Sequence, residues 1–190
     1  MSNNKPNIVF IFPDQMRADF LGCYGADFIK TPNIDKLAEN GIRYQNAYSS
    51  SPVCVPARTN LMTGMDAISN GVASNAPALR PDHQAAGINT WPEILKEMEY
   101  YTAGIGKMHF YPWDRKNGFM YRSVTEDKRW LKVRDDYYHH LRESGLKKFH
   151  GNEHDGYHEN FGAVMSKLPW EHSWDHFVGS EACKFIDEYG

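Results

Sequence analysis

A six-residue run enclosed by prolines, Asn7-Ile8-Val9-Phe10-Ile11-Phe12 between Pro6 and Pro13, sets the first limit on the fold. Proline does not sit inside a helix and pushes the residue before it toward extended backbone. The run is apolar at consecutive positions rather than alternate ones. That pattern predicts a strand buried on both faces, as in a parallel sheet. It is far too short for a signal-peptide core or a membrane span. Asp14 then falls just past the strand's C-terminal end, where α/β sheets place ligand-binding residues.

The pattern continues as alternating strands and helices. Thr31-Pro32-Asn33 opens a helix with Ile34, Leu37 and Ala38 on one face and Gly41 as its stop. Residues 42–48 form a candidate strand, followed by a loop carrying Cys54 and a helix starting over Arg58 to Met62. Thr90, Pro92 and Glu93 supply an N-cap, a first-turn proline and a capping carboxylate for a helix through Met98. Tyr100 to Ile105 is the next strand and delivers Lys107 and His109 at its end. This order predicts an α/β chain with a mostly parallel sheet flanked by helices.

Residues 111–170 differ, being rich in Tyr, Trp, His and charge. Lys128 to Arg142 is a candidate helix, and Gly151 to Gly162 reads as loop. Ser180 to Tyr189 returns to helical spacing, with Ala182, Phe185, Ile186 and Tyr189 on one face. The expected organisation is a core over 1–110, a cap or plain surface insertion over 111–170, and a return to the core over 171–190.

Net charge is −3 with no basic block, which argues against a nucleic-acid partner. Nothing in the chain points to a membrane partner either. Three cysteines without regular spacing argue against a disulfide framework, so a reducing, cytoplasmic setting is expected.

The chemistry is concentrated in a few short segments. Residues 52–64 contain Cys54-x-Pro56-x-Arg58. Taken alone, that cluster also reads as a tight turn with a buried thiol. The spacing excludes a tyrosine-phosphatase loop, which sets its arginine further along to leave room for a cradle of backbone N–H groups. Residues 101–110 contain Gly106-Lys107-Met108-His109. Near the start stand Asp14-Gln15, Leu21-Gly22-Cys23-Tyr24-Gly25 and Thr31-Pro32-Asn33-Ile34-Asp35.

Together and in this order, these segments resemble the type I, formylglycine-dependent sulfatases of the alkaline phosphatase superfamily. Asp14-Gln15 in place of two adjacent aspartates resembles the subgroup with choline sulfatases and phosphonate monoester hydrolases. The resemblance implies an alkaline-phosphatase-like fold, of which this chain would be the N-terminal portion only. It also implies sulfuric ester hydrolysis by a formylglycine made from Cys54. One hydroxyl of its hydrate attacks sulfur; the second then loses its proton, and the intermediate collapses to expel sulfate.

The same resemblance gives each residue a role. Asp14, Gln15 and the group at position 54 would hold Ca²⁺, or Mg²⁺ or Mn²⁺, through oxygen. Arg58 would hold the nucleophile with its planar donors. Lys107 would contact sulfate oxygens, and His109 would deprotonate the formylglycine hydroxyl. Asn75 and His172 would contact sulfate, with His172 also at the leaving group and His176 a competing match. Each has a plain alternative: a helix N-cap at Asp14, a surface ion pair at Arg58, strand-end polar groups at Lys107 and His109, and an ordinary turn at Asn75.

The implied partners are a small-molecule sulfate ester and a formylglycine-generating enzyme. The chain alone is expected to be inactive, and its open sheet edges favour a homo-oligomer. Two other functions stay open: a phosphonate monoester or phosphodiester hydrolase of the same superfamily, and a non-catalytic fragment. Seven of the nine histidines lie between His139 and His176, and His150, His154 and His158 have helical spacing. Gly151 and Gly156 interrupt that segment, which favours a solvated loop over a zinc site.

Overall fold

The computed structural model describes residues 5–76, 78–127 and 130–190. The chain divides into two units, Met1–Tyr48 and Ser49–Gly190.

In the first unit the run over residues 8–12 carries no ladder, and its side chains are between 46% (Phe12) and 75% (Ile11) exposed. Residues 42–48 are likewise without strand structure. A strand needs hydrogen-bonding neighbours, and none is described within residues 5–48. The ordered part of this unit is local. Helix α1 spans Pro32–Glu39, as its first-turn proline predicts. Thr31 and Asp35 tie the preceding turn to it. The Gly22 N–H donates to Thr31 Oγ1 at 2.8 Å and the Cys23 N–H to Asp35 Oδ1 at 2.7 Å. Gly22 is required here because a Cβ would lie 2.5 Å from the Asp35 carboxylate.

The second unit opens with α2, Cys54–Thr63, and the short α3, Ala67–Asn70. Asp66 caps α3 by accepting from the Ile68 and Ser69 N–H groups. Helix α4, Trp91–Glu97, starts where the sequence predicts. The Glu93 carboxylate turns back to the Thr90 N–H at 2.8 Å, and the Thr90 hydroxyl donates to the Asn117 carbonyl at 2.9 Å. Strands β1 (Ala103–Gly106) and β2 (Tyr121–Val124) pair in parallel, with Ala103 opposite Tyr121 and Gly106 opposite Val124. Both are short, and β2 falls within a stretch expected to be an insertion.

Helix α5 is Asp136–Glu143, shorter than the expected 128–142. Lys128 and Arg129 lie outside the described residues, and Asp135 caps the helix through the Tyr138 N–H. Residues 151–162 form turns with one short 3₁₀ segment. Helix α6, Trp174–Tyr189, begins earlier than expected because Ser173 caps it through the His176 N–H. Its Phe185 meets Tyr121 of β2 and stacks on Tyr101, with ring centroids 5.1 and 6.0 Å apart.

Among the described residues three apolar clusters support this unit. Val55, Val72, Leu79 and Ile88 pack beneath the start of α2. Met62, Phe110 and Phe119, with Trp91 and Met108, pack between α2 and the β1–β2 connection. Tyr137, Leu141 and Phe177 join α5 to α6. Among the described residues no helix is long and apolar enough to cross a membrane.

Candidate active site

Cys54 is the first residue of α2, not part of a loop before it. Val53 is extended and acts as the N-cap position. Pro56 sits in the first turn, where its missing N–H costs nothing. The Val55 N–H, an orphan donor of that turn, is taken by Asn75 Oδ1 at 3.1 Å. The helix thus begins at Cys54 because a residue far along the chain satisfies it. Its N-terminal dipole favours negative charge at residue 54.

Lys107 and His109 follow β1. Gly106 leaves the strand at φ +100°, a conformation other residues rarely adopt. The Lys107 side chain then turns toward α2. Its Nζ lies 4.0 Å from Cys54 Sγ and 3.2 Å from Asp127 Oδ2. Lys107 and Asp127 side chains are only 8% and 5% exposed, so little solvent screens this ion pair. Arg58, one turn along α2, donates through Nη1 to the Lys107 carbonyl. The two motif segments are therefore joined directly.

His109 is buried and has φ +60°, an unusual value for a side chain of its size. Glu126 stabilises that conformation. Both of its carboxylate oxygens accept from the His109 N–H, at 3.0 and 3.2 Å. Burial pushes the Glu126 carboxyl above its ordinary range, opposed by the His109 N–H. The His109 ring packs on Trp130 with centroids 4.8 Å apart. Arg58 and His109 line one cleft together with Val55, Thr59 and Met62 of α2.

Arg122 of β2 holds the connecting loop, donating to the Trp113 carbonyl at 3.0 Å and to the Arg115 carbonyl. Its guanidinium covers Phe110 at 5.1 Å. Burial lowers its pKa, opposed by Glu126, Asp136 and Asp114.

The structure thus brings Cys54, Arg58, Lys107 and Asn75 into one connected cluster, with His109 in the adjoining cleft. His172 has other described contacts. Its Nδ1 lies 3.1 Å from His140 Nε2, and its carbonyl accepts from the Tyr137 hydroxyl at 2.8 Å. Burial, and then the neighbouring His172, lower the His140 pKa. His176 packs edge-on against Trp170 at 5.7 Å. Asp14 and Gln15 belong to the first unit. Both are exposed, and Gln15 has φ +58°. A carboxylate beside an amide oxygen suits a hard cation. Among the described residues no group of three or more His, Cys, Asp or Glu gathers as a metal site.

Glu126 and Asp127 escape the sequence reading. Their signal is position: an acidic pair placed one residue past a short strand, at the end of a parallel sheet where sites are built.

A cysteine at a helix N-terminus, beside a buried ammonium that follows a parallel strand, gives this α/β chain a candidate half-site. The Sulfatase family model matches residues 6–174, and the chain belongs to the sulfatase family. It is 40% identical over 115 residues to an arylsulfatase of Clostridium perfringens, covering 60% of this chain and 23% of that protein. It is 38% identical over 126 residues to a choline-sulfatase of Rhizobium meliloti, covering 66% and 24%. The chain thus spans about a quarter of the length of these relatives.

A structure solved in complex with its substrate D-glucosamine-2-N,6-O-disulfate superposes with a TM-score of 0.58 at 34% identity, covering 64% of this chain and 23% of that one. The phosphonate monoester hydrolase of Agrobacterium radiobacter superposes with a TM-score of 0.69 over 93% of this chain and 37% of its own. At 19% identity that match speaks for the fold alone. The fold is accordingly part of the alkaline-phosphatase-like α/β architecture that the sequence predicts.

Proposed function

We propose that the protein carrying this chain hydrolyses sulfuric esters, with the group at position 54 as nucleophile. The observation that supports this most directly is the Lys107 ammonium 4.0 Å from Cys54 Sγ at the start of α2. A fixed cation and a helix N-terminus together favour an anionic group there, both a nucleophile and the sulfuryl oxygens it attacks.

In this reading Lys107 binds sulfate oxygens and stabilises charge that grows on them. Arg58 holds the start of the β1–β2 connection against α2 and presents its remaining donors to the same cleft. His109 takes and returns a proton at the group on residue 54. Asn75 holds the first turn of α2 and lies next to the bound sulfate. His172 enters through the family resemblance, as a contact of the leaving-group oxygen. Converted to formylglycine, position 54 would present a geminal diol, supplying the attacking hydroxyl and a second one for sulfate release. Asp14 and Gln15 are the proposed oxygen ligands of a divalent cation, Ca²⁺ first.

Co-expression of the full-length protein with a formylglycine-generating enzyme, then peptide mass mapping and a sulfate-release screen, tests the reading. The screen should include aryl sulfates, sugar sulfates and choline sulfate. An aldehyde mass on the residue 54 peptide with release from at least one ester is expected. A persistent thiol with no release would overturn it. Preferential cleavage of phosphonate monoesters would replace it with the phosphonate hydrolase reading.

A further inference from the structure

Two consecutive acids face the two motif residues across the end of the parallel sheet. Glu126 accepts from the His109 backbone N–H at 3.0 and 3.2 Å, and Asp127 Oδ2 lies 3.2 Å from the Lys107 ammonium. We propose that Asp127 is a positioning residue for Lys107: it fixes the ammonium beside residue 54, so that the charge meets the reacting ester in place. The proposal rests on the sulfatase reading for the identity of the ester, and on the geometry for the role.

A lysine ammonium is a point charge on a flexible four-carbon stem. One contact at 4.0 Å to Cys54 Sγ does not define where that charge sits. The carboxylate on its other side does, because both side chains are nearly inaccessible to water. The acid is itself held. The preceding N–H, that of Glu126, donates to Asp135 Oδ2 at 2.8 Å, and Asp135 is anchored by the buried Lys148 at 2.6 Å. Asp135 also caps α5. The chain of contacts runs from α5 through Asp135, Glu126 and Asp127 to Lys107. Preorganised charge is effective because it does not have to reorient as the reaction proceeds.

The test is a double-mutant cycle in the full-length protein, with Asp127→Asn, Lys107→Ala and the double variant. Two readouts are taken: turnover of 4-nitrophenyl sulfate and 4-nitrophenyl phenylphosphonate, and the Kd for inorganic sulfate. Asp127→Asn should lower kcat about 10- to 100-fold, below the full loss of a donor. In the Lys107→Ala background the same change should alter kcat and Kd by no more than about twofold. Asp127→Glu should recover part of the rate by restoring the charge.

Independent losses in the two backgrounds would overturn the proposal, as would wild-type kcat in Asp127→Asn with only a lowered Tm. If Asp127→Asn does not fold, the cycle is run with Asp127→Glu, and additivity there has the same force. If the wild type cleaves neither of these nor any ester of the wider screen, the sulfatase reading fails, and the sulfate-binding cycle alone decides the role of Asp127.

Discussion

Asn75 Oδ1 accepts the Val55 N–H at 3.1 Å, one residue beyond Cys54, and so closes the first turn of the helix that carries the proposed nucleophile. Capping and sulfate contact make separable predictions for this residue. Asn75→Ala should destabilise the protein by about 0.5–2 kcal/mol, the usual effect of losing an N-terminal helix acceptor. Asn75→Asp keeps an acceptor and should retain stability. It should nevertheless weaken inorganic sulfate binding, because it sets a negative charge beside an anion. Urea denaturation and sulfate titration on the two variants check both halves.

Removing the reacting groups has a graded outcome. Cys54→Ala and His109→Ala should abolish sulfate release in the full-length enzyme, and Lys107→Ala should lower kcat about 10²–10³-fold, the effect of losing one positioned donor. Steady-state kinetics on the best ester of the screen measure this. Near-wild-type turnover in His109→Ala would remove His109 from its proton-transfer role.

The Lys148–Asp135 ion pair, at 2.6 Å with side chains 4% and 0% exposed, anchors the acidic segment. Lys148→Met strands the Asp135 carboxylate in a dry site, and truncating one partner of such a pair costs about 3–5 kcal/mol. Equilibrium urea unfolding should show that loss as a lower midpoint. A change below about 1 kcal/mol would mean that solvent reaches Asp135 in solution.

Glu126 sets a pH dependence of stability. Burial raises its folded-state pKa above the ordinary carboxylate range. The folded protein therefore holds a proton that the unfolded chain has already lost, and stability falls as pH rises through the interval between the two pKa values. Glu126→Gln removes that titration and keeps an oxygen for the His109 N–H. Thermal unfolding across this interval should show a smaller decline with pH in Glu126→Gln than in the wild type.

The parts of the fold legible in the sequence are those fixed by neighbours in the chain. Pro32 opens α1, and Thr90 with Glu93 opens α4, because a first-turn proline and a capping carboxylate act within a few residues. The return to helix near the end is legible from Phe185 and Tyr189, which share one face. The start of α2 is not, since its first turn depends on Asn75, 20 residues past Val55.

Strand β2 is hidden for a different reason. Its Arg122 breaks the apolar pattern, and the site it delivers, Glu126 and Asp127, acquires meaning only from Lys107 and His109 beyond the end of the other strand. The His140–His172 contact is equally long-range. The run over residues 8–12 reads as a strand because its composition is that of one. Composition alone does not supply the ladder.

Cys54 opens α2 with Val55 and Pro56 buried directly behind it, and Arg58 bonded across to the Lys107 carbonyl. A modifying enzyme must grip the residues that flank its target, and here the two that follow it are enclosed once α2 is seated. If Cys54 is converted as proposed, maturation becomes a matter of timing: its oxidation would belong to the newly made chain, before α2 docks. Folded, purified protein offered to the maturation enzyme should stay a thiol, whereas chains matured during synthesis should carry the aldehyde. Efficient conversion of the folded protein would show that α2 opens readily enough to be read.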